Sequence, residues 1–407
     1  MTEPTIRTGT PNDFTRMVAH FDLVFGEAPN DEGLDNFKQW LEFDRVILAE
    51  DAGELVGTAG ANSYRVTVPG GDTVAAAGLT IVAVRPTHRR SGLLRRMMRR
   101  HLEDVRDRGE AASMLYASES SIYGRFGYGS AAPSGEISLQ RSHGAFRRDI
   151  PAARGTYRLL DLAAADAIMR QIHPLATAGV PGALVLREPD WVRRMVDYPS
   201  RREGHTPWRV LIYDRDGEPR GYARYRQKDG WGDGGPEGTV AVRDVQALDG
   251  EAFVALWRFL LDIDLSMTIA ATHRPVPDPL RLLLADPRRL VEKSSDGLWV
   301  RPLDVPALLA ARRYRVPGSV VIEVSDEFFE AGGRYQLEGG PDGATCEPTA
   351  AAAEISLGVE QLGAVYLGGQ ALDDLAWVGL IQGDAAAIRR ANDMFSWPIT
   401  PHNTLHF

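Results

Sequence analysis

The 407-residue chain is 44% hydrophobic and 25% charged, enough apolar material to bury a large core spread over two or three domains. Its net charge of -9 argues against general nucleic-acid binding, which wants a basic face, and favours cationic partners or simple solubility. A single cysteine, Cys346, excludes an internal disulfide framework and a cysteine-based zinc cluster. No apolar run approaches the roughly 20 residues that span a bilayer, and the start Met-Thr-Glu-Pro lacks a basic-then-apolar signal segment, so a soluble, cytoplasmic protein without a resident metal is expected.

Taken in order, Ile6 to Phe43 place apolar residues at mostly helical spacing, interrupted by Gly26, Pro29 and Gly33, which predicts two helices and a loop. That loop carries Asp22, Glu27, Asp31 and Glu32 beside Phe21, Phe25, Phe37 and Trp40. It reads either as a solvated acidic loop over an aromatic core or as a pocket wall that attracts cations. Val46 to Gly60 reads as two strands around an Asp-x-Gly turn, and Tyr64 to Val68 with Thr73 to Ala77 as a second hairpin around Pro69-Gly70-Gly71.

The stretch from Leu79 to Leu102 joins an apolar strand, a basic turn and a long helix. Arg89, Arg90, Ser91 and Gly92 sit where the helix begins, so free backbone N–H groups and a positive dipole end await an anion. Leu93, Leu94, Met97, Met98, His101, Leu102 and Val105 recur at helical spacing and predict the face that packs on the sheet. The pattern Arg-x-x-Gly-x, after a strand and opening a helix, resembles the acyl-coenzyme A site of GNAT acetyltransferases. A strand over Met114 to Ser118 follows, then the Gly-rich turn Glu119 to Gly129.

Further on, Gly217, Glu218 and Gly221 repeat Gly53, Glu54 and Gly57 at one constant offset, which reads as an internal duplication. Carried forward, the offset sets Ala241 to Leu248 opposite the cofactor strand and Phe253 to Leu261 opposite its helix, without Arg-x-x-Gly. The second copy is therefore expected to keep the fold and not the cofactor. After a Pro- and Arg-rich connector over Pro275 to Pro287, a third unit is expected to begin at the strand Leu298-Trp-Val. Strands at Val320–Val324 and Gly333–Glu338 and helical stretches at Val359–Leu367 and Ala371–Leu380 complete it. The last residues, with two prolines and a closing Phe407, read as tucked in rather than loose.

Acetyl transfer from a thioester to an amine needs a neutral amine, stabilisation of the carbonyl oxygen as it gains charge, and a proton for the departing thiolate. Backbone N–H groups at Ile81 or Val82 meet the second need if a bulge lies there. Tyr123, in the Gly-rich turn, is placed for the third. Its alternative reading is an aromatic plug beside Phe126 and Tyr128.

Ala117-Ser-Glu-Ser-Ser-Ile-Tyr-Gly-Arg-Phe-Gly-Tyr-Gly129, after Val82-Ala-Val-Arg-Pro-Thr-His-Arg-Arg-Ser-Gly-Leu-Leu94, closely resembles the enhanced-intracellular-survival (Eis) acetyltransferases of actinobacteria. The likeness continues through Asp296 to Pro306, the Tyr366-Leu-Gly segment and the closing phenylalanine. It implies an α/β (α+β) architecture of tandem GNAT folds, an active one over 1–145 and a degenerate one over 146–292. A domain like sterol carrier proteins over 293–407 completes it.

The resemblance further implies assembly as a hexamer and acetyl-CoA as cosubstrate. The implied acceptors are amines of polycationic small molecules such as aminoglycosides, at several positions, or lysine side chains of proteins. A non-catalytic carrier of an apolar ligand is the rival from another class. Residue by residue, the implied coenzyme contacts fall on Val82, Ala83, Val84, Arg90, Ser91, Gly92, Leu93, Leu94, Arg95, Ser118 and Glu119. The general acid falls on Tyr123, and the general base is the α-carboxylate of Phe407. That base, with an ordinary pKa of roughly 3.5, would need desolvation or a relaying water. His406 departs from the family pattern, which has a glutamate there in the best-known relative.

Overall fold

A computed structural model describes residues 3–28, 30–329 and 331–407. Twelve strands form one continuous sheet. In chain order they are β1 (Thr5–Thr8), β2 (Ile47–Asp51), β3 (Glu54–Thr67), β4 (Thr73–Val84), β5 (Ala112–Tyr116) and β6 (Gly129–Gln140). Then come β7 (Thr156–Leu160), β8 (Arg209–Arg215), β9 (Glu218–Lys228), β10 (Gly238–Ala247), β11 (Ser266–Arg274) and β12 (Val291–Pro302). Across the sheet the order is β1-β2-β3-β4-β5-β12-β6-β11-β10-β9-β8-β7. The two copies read from the sequence thus form one sheet, joined edge to edge.

Local chemistry explains the hairpins. The β2–β3 turn places Ala52 and Gly53 at φ 50° and 84°, and the β8–β9 turn places Asp216 and Gly217 at 55° and 81°. Two successive left-handed residues give the turn whose twist matches paired strands, which is why a glycine, Gly53 and then Gly217, closes both turns.

Three sequence expectations change. The first turn of the expected N-terminal helix is β1, held as a strand because Ile6 and its neighbours pair with β2. Thr73–Ala77 and the cofactor strand are one uninterrupted β4, since β3 runs alongside the whole of it apart from a bulge. The strand at Leu298, expected to open the third unit, is part of β12 and lies between β5 and β6 of the large sheet. Backbone donors along two interior edges would otherwise be buried without partners.

The helices are α1 (Phe14–Phe25), α2 (Leu34–Trp40), α3 (Leu93–Asp107), α4 (Leu162–Thr177), α5 (Glu188–Arg194) and α6 (Gly250–Leu261). On α3, Leu93, Met97, Met98, His101, Leu102 and Val105 are buried as the periodicity predicts. A separate five-stranded sheet holds β13 (Gly318–Ser325), β14 (Gly333–Gly340), β15 (Gly343–Pro348), β16 (Ile355–Gly358) and β17 (Gln382–Gly383). It packs with helices α7 (Val305–Ala311), α8 (Val359–Val365), α9 (Leu372–Trp377) and α10 (Ala385–Phe395) around its own core. Among the described residues no helix is long and apolar enough to cross a membrane.

Candidate active site

The site starts from a strand pair that fails to stay paired. β4 and β5 run parallel and share only Ala76↔Ala112, Ala77↔Ser113 and Gly78↔Met114. Beyond Gly78, the Leu79–Val84 arm of β4 parts from Leu115 and Tyr116, opening a slot in the middle of a sheet. Backbone donors along such an arm suit an extended, amide-bearing ligand. On the other side of β4, Thr58 pairs with Ala83 but Gly60 pairs with Thr80, so Ala59 faces both Ile81 and Val82. This is the bulge sought at those two residues. Ile81 has φ 48°, a conformation costing a β-branched residue about 1–3 kcal/mol. The Thr58 hydroxyl holds it by donating to the Ile81 carbonyl at 2.9 Å. Gly60 makes the room, because a Cβ there would come within 2.9 Å of Ile81 Cδ1.

Val82 and Val84 are half-buried while Ala83 between them is buried, the alternation of a strand with one face on the core. Where β4 ends, Arg90 and Gly92 take φ 62° and 83° and turn the chain into α3. A Cβ on Gly92 would meet nothing within 4 Å among the described residues, so conformation and not space selects glycine. Arg90, Ser91 and Gly92 are exposed around the helix start, Leu93 is buried behind them and Leu94 is half-buried. The Ser91 hydroxyl donates to the His88 carbonyl at 2.6 Å and fixes the turn. Arg95 is exposed one turn on, its guanidinium 4.9 Å from the centre of the Phe328 ring. Ser118 and Glu119 are exposed just past the end of β5, on the far lip of the slot.

Tyr123 is buried, its ring 6.0 Å from that of Tyr128 in an edge-on arrangement. Burial first, and then the negative charge of Glu119, push its phenol up to about 12, so it keeps its proton at neutral pH. Tyr123 packs in the cluster that holds Leu79, Leu93, Leu115 and Trp299. Phe407 packs in another cluster, with Tyr64, Ala76, Met114, Leu298 and Val300. Met114 and Leu115 are consecutive, as are Leu298, Trp299 and Val300, so the two clusters lie on opposite faces of the sheet. Tyr123 and Phe407 therefore flank the slot from opposite sides.

Phe407 is anchored by its ring, 5.1 Å from Tyr64 and 5.2 Å from Tyr116. Tyr116 also donates to the Leu405 carbonyl at 2.8 Å and stacks on His406 at 4.2 Å. Tyr64 in turn donates to Asp190 at 3.0 Å, and that carboxylate also accepts from the Trp40 indole at 2.7 Å. Phe407 and His406 line a cavity of about 840 Å³ with Thr80 and Ile81 of β4, bounded by α1 and α2 on one side and by residues of the central unit on the other. Asp22, expected in the early loop, lies in the last turns of α1 because the helix runs on to Phe25. It lines the wall together with Glu27 of the loop that follows; Tyr123 does not.

The comparisons with known proteins bear on this geometry. Residues 5–131 and 182–302 each match an acetyltransferase (GNAT) domain, and residues 305–404 match a sterol carrier protein domain. The chain is 42% identical to an uncharacterised N-acetyltransferase of Streptomyces avermitilis, over 92% of each chain. It is 34% identical to the N-acetyltransferase Eis of Mycobacterium tuberculosis, over 89% of each. The crystal structure of Eis1 from Mycobacterium abscessus superposes with a TM-score of 0.85 at 34% identity, covering 99% of this chain and 100% of that one. The chain belongs to the Eis family of GNAT N-acetyltransferases.

GNAT acetyltransferases such as the Eis proteins use acetyl-CoA, which supplies the activated acetyl thioester. The residues present fit it. Arg89 and Arg90 are exposed at the start of α3 with no ion pair among the described residues, leaving two guanidiniums and the helix N–H groups for a pyrophosphate. The central GNAT unit differs at the matching place. There α6 opens on Asp249, whose carboxylate accepts from the Ala252 N–H at 3.0 Å and pairs with Arg215 at 2.9 Å and Arg220 at 2.8 Å. The anion position is filled from within. Its strand β10 keeps a bulge at Arg243, but the neighbouring Asp244 is buried between Arg194 and Arg224.

Sequence reasoning missed Thr58, Tyr64 and Tyr116, which hold the Eis-family site in shape. No spacing could have found them, because each acts through a contact made only in the folded sheet. The arginines of the central unit that reach the cavity, Arg193, Arg201, Arg226 and Arg243, were equally hidden.

Proposed function

We propose that this N-acetyltransferase moves the acetyl group of acetyl-CoA to a primary amine of a small molecule bound in the cavity beside Phe407. The observation that carries the reading is the slot between β4 and β5, flanked by Tyr123 on one face and Phe407 on the other. Val82, Ala83 and Val84 with Ser118 and Glu119 line its two arms, and Arg90, Ser91, Gly92, Leu93, Leu94 and Arg95 hold the phosphate end. In the step, the amine lone pair attacks the thioester carbonyl carbon. A C–N bond forms, the C–S bond breaks and the pair leaves on sulfur.

The Phe407 α-carboxylate takes the amine proton, directly or through water. The bulged N–H groups at Ile81 and Val82 receive the charge on oxygen. Tyr123 donates a hydrogen bond to the departing thiolate. A phenol near 12 is a weaker acid than a thiol of roughly 8.5, so a proton passed from Tyr123 to sulfur is replaced by the one the amine releases, which closes the balance. The thiol, below its own pKa at neutral pH, stays protonated. A cavity of about 840 Å³ suits a small acceptor. The polycationic acceptor expected from the early loop fits the Asp22 and Glu27 side of the cavity alone. We also assign residues 1–145 to the active unit, 146–292 to the second wall and 293–407 to the unit that delivers Phe407. The hexamer implied by the resemblance is tested by sedimentation, and a monomer at working concentration would remove it.

The test of the chemistry is thiol release from acetyl-CoA with a panel of amines. Tyr123→Phe is expected to lower kcat by roughly 10²–10⁴ with little change in the KM for acetyl-CoA. Full turnover in that variant would remove Tyr123 from the step.

A further inference from the structure

The wall of the acceptor cavity is electrically divided. The N-terminal unit contributes Asp22 and Glu27, while the central unit contributes Arg193, Arg201, Arg226 and Arg243. One more carboxylate, Asp197, is already committed: it accepts from Arg202 Nε at 3.1 Å and from the Trp208 N–H at 3.1 Å. Among the described residues no carboxylate lies within 4 Å of any of the four cavity guanidiniums. Arg226 and Arg243 are half-buried and Arg193 and Arg201 exposed toward the cavity mouth. Four cations thus line one part of the cavity with no carboxylate of the described residues in ion-pair contact, a setting that favours an anion.

Their setting is that of a receptor. Arg193 lies 4.2 Å from the centre of the Trp40 ring, Arg226 4.7 Å from that of Trp208 and Arg201 5.3 Å from that of Tyr198. A guanidinium held by its face keeps N–H groups for pairing with a carboxylate or phosphate. Arg226 spends one Nη1 bond on the Arg201 carbonyl at 3.3 Å and Arg243 spends Nη1 on the His273 ring, and the rest of each edge stays available. The Nε of Arg226 is buried and has no hydrogen-bond partner among the described residues. Burial also lowers the pKa of the half-buried Arg243, partly offset by Asp244. Phe21, Phe37 and Trp40 line the same cavity, a surface for an apolar or aromatic body.

We propose that the acceptor is an amine that carries an anionic group at a distance, the amine drawn to the Asp22 and Glu27 side and the anion held by Arg193, Arg201, Arg226 and Arg243. This rests on the transferase reading for its chemistry and on the cavity alone for its binding. A polycation meets like charge on the central wall, and a simple apolar amine leaves the arginines unpaired.

The test compares 4-(2-aminoethyl)benzoate, 4-(2-aminoethyl)benzenesulfonate, phenethylamine and kanamycin, measured by thiol release with acetyl-CoA and by titration calorimetry with coenzyme A present. The two anionic amines are expected to exceed phenethylamine by roughly 10-fold to 100-fold in kcat/KM and in affinity. Arg226→Met and Arg193→Met should each narrow that ratio, and Arg226→Lys should restore part of it. Phenethylamine or kanamycin equalling the anionic amines would overturn the inference and leave the transferase reading in place. Preferential binding of the anionic amines, lost in Arg226→Met but without thiol release from any amine, would uphold the cavity inference and overturn the transferase reading. Neither binding preference nor turnover would overturn both.

Discussion

At the scale of single residues, Gly78 decides whether the end of the chain fits. A Cβ there would stand 2.7 Å from the Tyr64 ring and 2.9 Å from Phe407 Cε2. Gly78→Ala is expected to cost about 1–3 kcal/mol of stability and to lower turnover more than affinity for acetyl-CoA, checked by denaturant unfolding and steady-state kinetics. Moving the Phe407 carboxylate without touching its ring isolates the proposed base. Appending one alanine after Phe407 should lower kcat by roughly 10²–10⁴ while the melting temperature stays near that of the parent. Unchanged kcat would leave Phe407 as an anchor only.

At the scale of elements, β12 ties the site to the C-terminal unit. Its Arg301 is fully buried, donates from Nε to the Phe126 carbonyl at 2.7 Å and pairs with Asp326 at 2.7 Å. It thereby fixes the turn that carries Tyr123 to the loop after β13. Arg301→Met removes the cation from Asp326, which keeps the N–H groups of Phe328, Phe329 and Ala331, and frees the Phe126 carbonyl. The effect is about 1–3 kcal/mol, and the change should loosen Tyr123. Hydrogen exchange at residues 122–128 faster than in the parent checks this. Local elements were largely legible in the sequence. The glycine turns of the two hairpins, the buried face of α3 and the duplicate at β8–β10 with α6 all follow from spacing, because neighbours in sequence set them. The split of β4 from β5, the insertion of β12 and the pairing of Phe407 with Tyr64 were not legible. Each is a contact between segments far apart in the chain, and no local pattern encodes which distant partner wins. The charge of the cavity was half legible for the same reason: Asp22 and Glu27 lie five residues apart, at the end of α1 and just after it, whereas the four arginines are scattered over fifty residues and meet only in the fold.

At the scale of the molecule, buried histidines set the response to acid. Burial pulls His101 and His173 down to about 3 and His402 down to about 4, against roughly 6.5 in an unfolded chain. The unfolded state therefore binds more protons below that value, and stability is full above about pH 6.5 and falls as the pH drops toward 4. Each fully buried ring contributes about 2 kcal/mol to the loss by pH 5. The melting temperature should fall steadily from pH 7 to pH 5, and His101→Gln, which keeps a donor toward the Ser113 hydroxyl, should reduce the slope. The placement of β12 carries a different consequence, for synthesis. β5 and β6 leave the ribosome early, yet β12 lies between them. At about 5–20 residues per second, roughly ten to thirty seconds pass between the emergence of β6 and that of β12. For that interval the nascent chain holds two strand edges open to the wrong partner, so a holding chaperone, or a pause that keeps neighbouring ribosomes apart, should raise the yield of active enzyme without changing the finished molecule.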